Sequence, residues 1–279
     1  MVFAIVASHP IAHQQLTTAV PQVKDCSMTN LVANNQELSQ ACDNISQAVS
    51  TPFPVSSPTP NLNLTNLTHK ERFLLTIKHQ LLTIPQPGTF DYILLRAYGA
   101  AFVDEDPEVK LPQKVVFGNE LETKEFQATL TLEKVKNTND CYLQQSAAAA
   151  LNRVRSQIPI SLKSGYGASD CTRTFETNLR FWRKYANDKT LEKVREGKET
   201  AILGLVAPPG SSQHLWGLAV DLQLTNLAQK KALNENGWFQ TVENDVPHWT
   251  YLGQPQEKLV EFGFQNRVVR GISYWLTPL

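Results

Sequence analysis

The segment Ser212–Asp221 constrains the fold and chemistry of this 279-residue chain more than any other stretch. Residues 216–224 alternate between large apolar residues and small or polar ones, which is typical of a β-strand. The alternation places Gly217, Ala219 and Asp221 on one face of that strand. The two small residues leave space beside the carboxylate, so this face can form the floor of a site.

His214 lies seven residues before Asp221, on the approach to this strand. The preceding loop, residues 208–212, reads Pro-Pro-Gly-Ser-Ser and can fold the His214 ring back toward the face that carries Asp221. A neutral imidazole and a carboxylate that converge on an open surface suit a zinc ion. A His and an Asp that merely hydrogen-bond each other would produce the same pattern. A third candidate ligand is therefore needed to distinguish a metal site from a simple hydrogen bond.

A second histidine downstream supplies that third group. His248 follows two carboxylates, Glu243 and Asp245, which lie five and three residues before it. Three protein ligands and one position open to water are typical of catalytic zinc, whereas structural zinc is closed by four ligands, usually including Cys. The four cysteines of the chain lie far from these residues in sequence. The pattern therefore favours a catalytic metal site.

Taken together, the two motifs resemble a known family. Ser-x-His-x-x-Gly-x-Ala-x-Asp over residues 212–221, followed by acid-x-x-His-Trp-x-Tyr over residues 245–251, is similar to the VanY-like D-alanyl-D-alanine carboxypeptidases and related peptidoglycan peptidases. The resemblance extends from about Cys141 to the last residue. It implies that three side chains bind Zn²⁺, namely His214, Asp221 and His248. Other divalent ions would also suit two His and one Asp.

The resemblance also implies a fold and an activity. The fold is α+β, with a small antiparallel sheet that carries the zinc ligands and packs against helices. The activity is removal of the terminal D-alanine of a peptidoglycan stem peptide by metal-activated water. One alternative is a peptidoglycan endopeptidase or endolysin of the same fold, and another is a catalytically inactive zinc-binding or cell-wall-binding module. A purely structural interaction protein ranks last, because it would not need the cleared Gly-x-Ala-x-Asp face.

Two expected catalytic positions depart from the family pattern. The family acid/base is a Glu three residues before the last His, and here Asp245 has that spacing whereas Glu243 has that residue type. Both are candidates for the base, with Asp245 ahead on spacing. The family also has Ser-Gly-Tyr-Arg where this chain has Gly167 in place of the Arg. Arg173 is a candidate replacement that binds the substrate carboxylate or the developing oxyanion, or it is an ordinary residue flanking a helix.

Ser212, the first residue of the motif, is expected to orient His214 or to contact substrate, with capping of the loop as the alternative. The cysteines Cys141 and Cys171 would form a disulfide in an exported protein, and all four cysteines would be thiols in a reducing compartment. The family resemblance favours export. Residues 2–7 form a short apolar run without a preceding Lys or Arg, which predicts a weak or truncated export signal. The expected location is the cell envelope, the periplasm or the exterior.

Three segments are predicted along the chain. Residues 1–65 carry few charges and end in a Pro-rich stretch, which predicts a low-complexity region and linker. Residues 66–139 are predicted to be an N-terminal extension of the catalytic domain or a small accessory module, beginning with a helix capped by Thr68. Residues 140–279 are predicted to be the zinc peptidase domain. Within these segments, residues 92–103 are read as a buried strand or short helix and residues 201–206 as a short strand.

The charge balance and the hydropathy of the chain argue against nucleic-acid binding, anionic-membrane binding and membrane spanning. The chain has 26 basic and 26 acidic side chains, and this balance argues against binding nucleic acid or an anionic membrane by electrostatics. No apolar run is long enough for a transmembrane helix. The expected partner is therefore the peptidoglycan stem peptide, and the sequence leaves the oligomeric state open.

Overall fold

A computed structural model describes residues 66–224 and 226–279. The predicted linker and export signal lie outside the described residues. The described residues belong to one compact unit with a continuous hydrophobic core, to which segments on both sides of residue 140 contribute. No helix in the described ranges is both long and apolar enough to cross a membrane.

The described part of the chain begins with helices. They are α1 His69–Ile77, α2 Phe90–Tyr98 with a 3-10 helix Gly99–Val103 directly after it, and α3 Glu120–Gln127. The predicted cap of α1 is confirmed: the Thr68 hydroxyl accepts the Glu71 N–H, and the Glu71 carboxylate accepts the Thr68 N–H. Residues 92–103, for which strand and helix were both open, are helical. Thr89 caps α2 by accepting the Tyr92 N–H, a local signal that favours the helix.

A four-stranded antiparallel sheet forms the centre. Its strands are β3 Ser161–Leu162, β4 Ala219–Gln223, β6 His248–Tyr251 and β5 Trp238–Phe239, in that spatial order. Two hairpins lie outside it, β1 Leu132–Lys134 with β2 Tyr142–Gln144 and β7 Gln265–Val269 with β8 Ile272–Leu276. This architecture confirms the predicted α+β class with a small antiparallel sheet.

Six further helices complete the described fold. They are α4 Gln145–Gln157, α5 Gly167–Asp170, α6 Phe175–Tyr185, α7 Asp188–Arg195, α8 Leu227–Asn234 and α9 Gln256–Glu261. The long α4 buries one face, which includes Leu151 and Val154. The contact of α4 with β1 joins the segment before residue 140 to the segment after it, and α4 also contacts β2 and α8.

Two predicted strands are wrong in detail. The strand predicted over residues 216–224 begins only at Ala219, because Gln213–Trp216 form a 3-10 helix that Gly217 ends with φ +68°. Residues 201–206 contain no strand, and Ala201–Gly204 form another 3-10 helix. Within this run Leu203 and Val206 are buried and Leu205 is exposed, and the Tyr98 hydroxyl at the end of α2 donates to the Leu203 carbonyl at 2.8 Å.

A disulfide joins Cys141 to Cys171, with 5.3 Å between their Cα atoms. It connects the start of β2 to the end of α5. Both residues are fully buried. The pairing that an exported protein would form is therefore present.

Candidate metal centre

The sheet and one 3-10 helix bring three predicted ligands together. Asp221 on β4 pairs directly with His248 on β6, so their side chains share one face of the sheet. His214 lies on the 3-10 helix Gln213–Trp216, which precedes β4. Ser212 caps that helix by accepting the His214 N–H at 3.4 Å, and the left-handed turn at Gly217 returns the chain into β4 beside His214.

The facing atoms of these three side chains form a small triangle. Nε2 of His214 lies 3.2 Å from Nδ1 of His248 and 3.3 Å from Oδ1 of Asp221. Nδ1 of His248 lies 3.6 Å from the same Asp221 oxygen. Within the described ranges, no other group of three or more His, Cys, Asp or Glu side chains is arranged so that it could hold a metal ion.

Hydrogen bonds fix the tautomer of each imidazole. Nδ1 of His214 lies 2.8 Å from the Cys171 carbonyl, and Nε2 of His248 lies 2.8 Å from the side-chain oxygen of Gln213. Because these oxygens only accept, each of those ring nitrogens donates a proton. Neutral rings then carry no proton on the two nitrogens that face Asp221. Three electron-pair donors converge on one point, as a cation requires.

The spacing fits a tetrahedral metal. Zinc bonds of about 2.0–2.2 Å to nitrogen and oxygen place neighbouring tetrahedral ligands roughly 3.3 Å apart. The three distances in the triangle, 3.2, 3.3 and 3.6 Å, bracket this value. All three side chains line one cleft, from which a fourth ligand would reach the metal. The residues present therefore fit a metal ion with an open position.

The electrostatics keep the ligands in the forms that bind metal. Burial, together with the positive charge of Arg173, lowers the pKa of His214 to about 4, so its ring is neutral near pH 7. Burial alone would raise the pKa of Asp221, but His214, His248 and Arg173 outweigh it and hold that pKa well below its ordinary value. Asp221 is therefore a carboxylate at any ordinary pH.

Of the two candidate bases, only Asp245 lies in the cleft. Asp245 lines the same cleft as the three ligands, and its backbone carbonyl accepts the His248 N–H at 3.2 Å. Burial raises the pKa of Asp245 to about 6. Glu243 instead points to another depression, where its carboxylate pairs with Arg267 at 2.9 Å.

Arg173 also lines the cleft, and its contacts show how it is held. Its guanidinium bonds the Asp221 oxygen that faces away from the triangle, and its Nε donates to the Ser169 carbonyl. The ring of Phe181 lies 4.7 Å below it. Arg173 thus orients a predicted ligand from a position in the lining of the same cleft. Ser212 lines the cleft as well and caps the 3-10 helix.

Gly167, at the place of the family Arg, is held tightly against the backbone. A Cβ atom there would lie 2.1 Å from the Cys141 nitrogen. No side chain fits at this position without moving the chain. The replacement of the family Arg by Gly167 therefore has a steric reason in this fold.

Sequence reasoning missed two residues of the site. Gln213 precedes His214 and supports His248, and the only available signal was its position inside the motif. Lys163 lines the cleft from the end of β3, where its backbone N–H donates to the Asp221 carbonyl at 2.9 Å. Its side chain makes no hydrogen bond or ion pair within the described ranges.

Residues 140–271 match the family model described as VanY, D-alanyl-D-alanine carboxypeptidase. These residues are a VanY-family domain. The resemblance predicted from the two motifs is thereby confirmed for this part of the chain. A search of curated protein sequences gave no match.

Several solved structures of peptidases are similar to about half of the chain. One is the vancomycin-resistance D,D-dipeptidase VanXYg in complex with a D-Ala-D-Ala phosphinate analogue. It is 18% identical with a TM-score of 0.34, and the match covers 48% of this chain and 60% of that chain. A mutant of the D,D-pentapeptidase VanY in complex with Zn(II) is 19% identical, with TM-score 0.32 and coverage of 51% and 85%. The LD-carboxypeptidase LdcB is 19% identical, with TM-score 0.30 and coverage of 48% and 70%.

Proposed function

We propose that the VanY domain is a zinc-dependent D-alanyl-D-alanine carboxypeptidase, which removes the terminal D-alanine of peptidoglycan stem peptides. The observation that carries the proposal is the triangle of His214, Asp221 and His248, whose facing atoms lie 3.2–3.6 Å apart with both tautomers fixed. These residues would hold the zinc ion. When bound, zinc polarises the scissile carbonyl and lowers the pKa of a bound water to about 7.

The side chains around the triangle have distinct roles in this proposal. Asp245 takes a proton from the attacking water and passes it to the leaving amine nitrogen. Its place in the cleft supports this role over Glu243, which pairs with Arg267. Arg173 holds Asp221 and offers its free N–H groups to the substrate carbonyl oxygen or carboxylate. Ser212 orients His214 through the cap of the 3-10 helix.

We also infer that residues 66–139 are an extension of the catalytic domain. Strand β1 pairs with β2 across residue 140, and Gln127 on α3 donates to the carbonyls of Arg173 and Leu215 at 2.8 and 2.9 Å. The Cys141–Cys171 disulfide supports a location outside the cytoplasm, in the envelope or beyond it.

The test is hydrolysis of a purified stem pentapeptide that ends in D-Ala-D-Ala, followed by mass spectrometry. The zinc-loaded protein is expected to release one D-alanine, and a chelator should abolish the release until zinc is restored. A pentapeptide ending in L-Ala-L-Ala is the matched substrate control. His214→Ala and His248→Ala are each expected to lose bound zinc and activity together.

The other outcomes identify the alternatives. If the pentapeptide survives while intact cross-linked peptidoglycan is cut, the domain is an endopeptidase. If zinc binds and neither substrate is cut, the domain is an inactive binding module. Retention of zinc by both histidine variants would refute the proposed metal site itself.

A further inference from the structure

Gln213 connects the metal centre to a part of the chain that lies outside the matched family region. Its side-chain oxygen accepts from Nε2 of His248 at 2.8 Å and from the Thr250 hydroxyl at 3.3 Å. Its side-chain nitrogen donates to the Tyr98 carbonyl at 2.7 Å. We propose that Gln213 is a positioning residue, which fixes the metal-binding nitrogen of His248 and anchors it to α2. The inference rests on the proposed metal site.

The orientation of the Gln213 amide follows from its partners. The Tyr98 carbonyl can only accept, so the NH₂ group of Gln213 must face it and the amide oxygen must face His248. Nε2 of His248 therefore carries the proton, and Nδ1 is left bare toward His214 and Asp221. The backbone of α2 thus selects, through one amide, the nitrogen that His248 presents.

Further contacts hold the anchor in place. Tyr98 ends α2, and its hydroxyl donates to the Leu203 carbonyl at 2.8 Å. Both Tyr98 and Gln213 are buried, Gln213 completely. Gln213 and His214 are neighbours on one short 3-10 helix, so that helix presents one ligand and the support of another. Displacing Gln213 would disturb two ligands at once.

Residues that orient metal-bound histidines commonly change metal affinity by about 10–100-fold when they are replaced. Gln213→Met keeps the length of the side chain but removes both the acceptor and the donor. We expect it to weaken zinc binding by about 10–100-fold. Gln213→Glu keeps an acceptor for His248 and loses the donor to Tyr98, so it should stay within a few-fold of the parent zinc affinity while its melting temperature falls.

Gln144 offers a matched control. It is also a buried glutamine that bridges the two segments, since its amide nitrogen donates to the Trp216 and Lys110 carbonyls and its oxygen accepts the Lys110 N–H. Among the described residues, its side chain forms no hydrogen bond to a proposed ligand. Gln144→Met should therefore lower the melting temperature and leave the zinc affinity of the folded protein unchanged.

The experiment measures the zinc dissociation constant of the full chain by competition with a chromophoric chelator, alongside the melting temperature of the metal-free protein. The absorption spectrum of the cobalt-substituted protein reports ligand geometry independently of activity. A weakened constant and altered spectrum in Gln213→Met, with rescue in Gln213→Glu and no change in Gln144→Met, is the expected result. If the zinc dissociation constant of Gln213→Met lies within twofold of the parent value, the positioning role is refuted and the metal site stands. If the parent chain binds no zinc, the proposed function fails as well.

Discussion

His214 donates its Nδ1 proton to the carbonyl of Cys171 at 2.8 Å, and Cys171 is tied to Cys141 by the disulfide. The orientation of a proposed metal ligand therefore depends on a backbone segment that a covalent cross-link holds in place. Arg173, which orients Asp221, follows two residues later on the same segment. One cross-link supports two of the three proposed ligands.

We predict that removing the disulfide weakens both stability and metal binding. In Cys141→Ala/Cys171→Ala, losing a cross-link between residues 30 apart should cost roughly 3–4 kcal/mol of unfolding free energy. Zinc affinity should fall by about tenfold, because the His214 ring loses a fixed partner. Denaturant unfolding and chelator competition measure the two effects. Thr172→Val is the control, since it removes only the 2.6 Å hydrogen bond of Thr172 to the Tyr142 carbonyl between the same segments. Unchanged zinc affinity in the double variant would contradict the prediction.

Substitution of Asp245 and of Glu243 should show which of the two is the catalytic base. Asp245→Asn should lower kcat by about 10²–10⁴-fold, because the amide cannot take a proton from water. Glu243→Gln should change kcat by less than a few-fold, since Glu243 pairs with Arg267 away from the cleft. Steady-state kinetics on the stem pentapeptide with matched zinc occupancy decide between them. The assignment would be reversed if Glu243→Gln were the inactive variant.

Asp104 makes stability depend on pH. Burial raises its pKa from 3.8 to about 7, and its Oδ2 atom has no hydrogen-bond partner in the described part of the chain. A raised pKa means that the folded protein holds this proton more tightly than the unfolded chain, so stability falls as pH rises from about 4 to 7 and is constant above. The loss is at most roughly 4 kcal/mol, since one pKa unit corresponds to about 1.4 kcal/mol.

We therefore predict that Asp104→Asn is more stable than the parent at pH 8 and equal to it near pH 4. The amide oxygen can still accept the Asp106 N–H, as Oδ1 does now at 2.9 Å. Melting temperatures measured across this pH range test the prediction, with the exposed neighbour Glu105→Gln as the control. Parallel pH profiles for Asp104→Asn and the parent would exclude the effect.

Lys163 is expected to contribute to recognition of the substrate carboxylate. It lines the cleft, and within the described residues its ammonium forms no ion pair, while Arg173 is engaged with Asp221 and Gly167 cannot carry a side chain. Because exposed ion pairs are worth about 0.2–1 kcal/mol, Lys163→Gln should raise KM up to about fivefold for a free C-terminal carboxylate. The effect should vanish for the C-terminal amide. Lys134→Gln on β1, away from the cleft, is the control. An equal change for acid and amide substrates would refute the role.

The sequence was most informative where the chemistry is local. The alternation around Asp221 and the spacing to His214 and His248 predicted three residues that the fold brings together, because one strand pair and one turn carry them. The capping box at Thr68 marked the start of α1 for the same reason, since its contacts lie within four residues. The two motifs around these residues carried the family resemblance, and that resemblance implied the α+β class.

Only the tertiary structure decided how the site is supported. The ring tautomers depend on Cys171 and Gln213, and the separation of Asp245 from Glu243 depends on Arg267. Those partners lie on other elements, and no periodicity encodes which elements will meet. The same limit explains residues 201–206, which contain a 3-10 helix whose Leu203 carbonyl accepts a hydrogen bond from Tyr98 of α2, and which pair with no strand of the described ranges. Spacing along the chain specified the proposed ligands, whereas their protonation, orientation and neighbours required the packed fold, because hydrogen bonds between distant segments form only there.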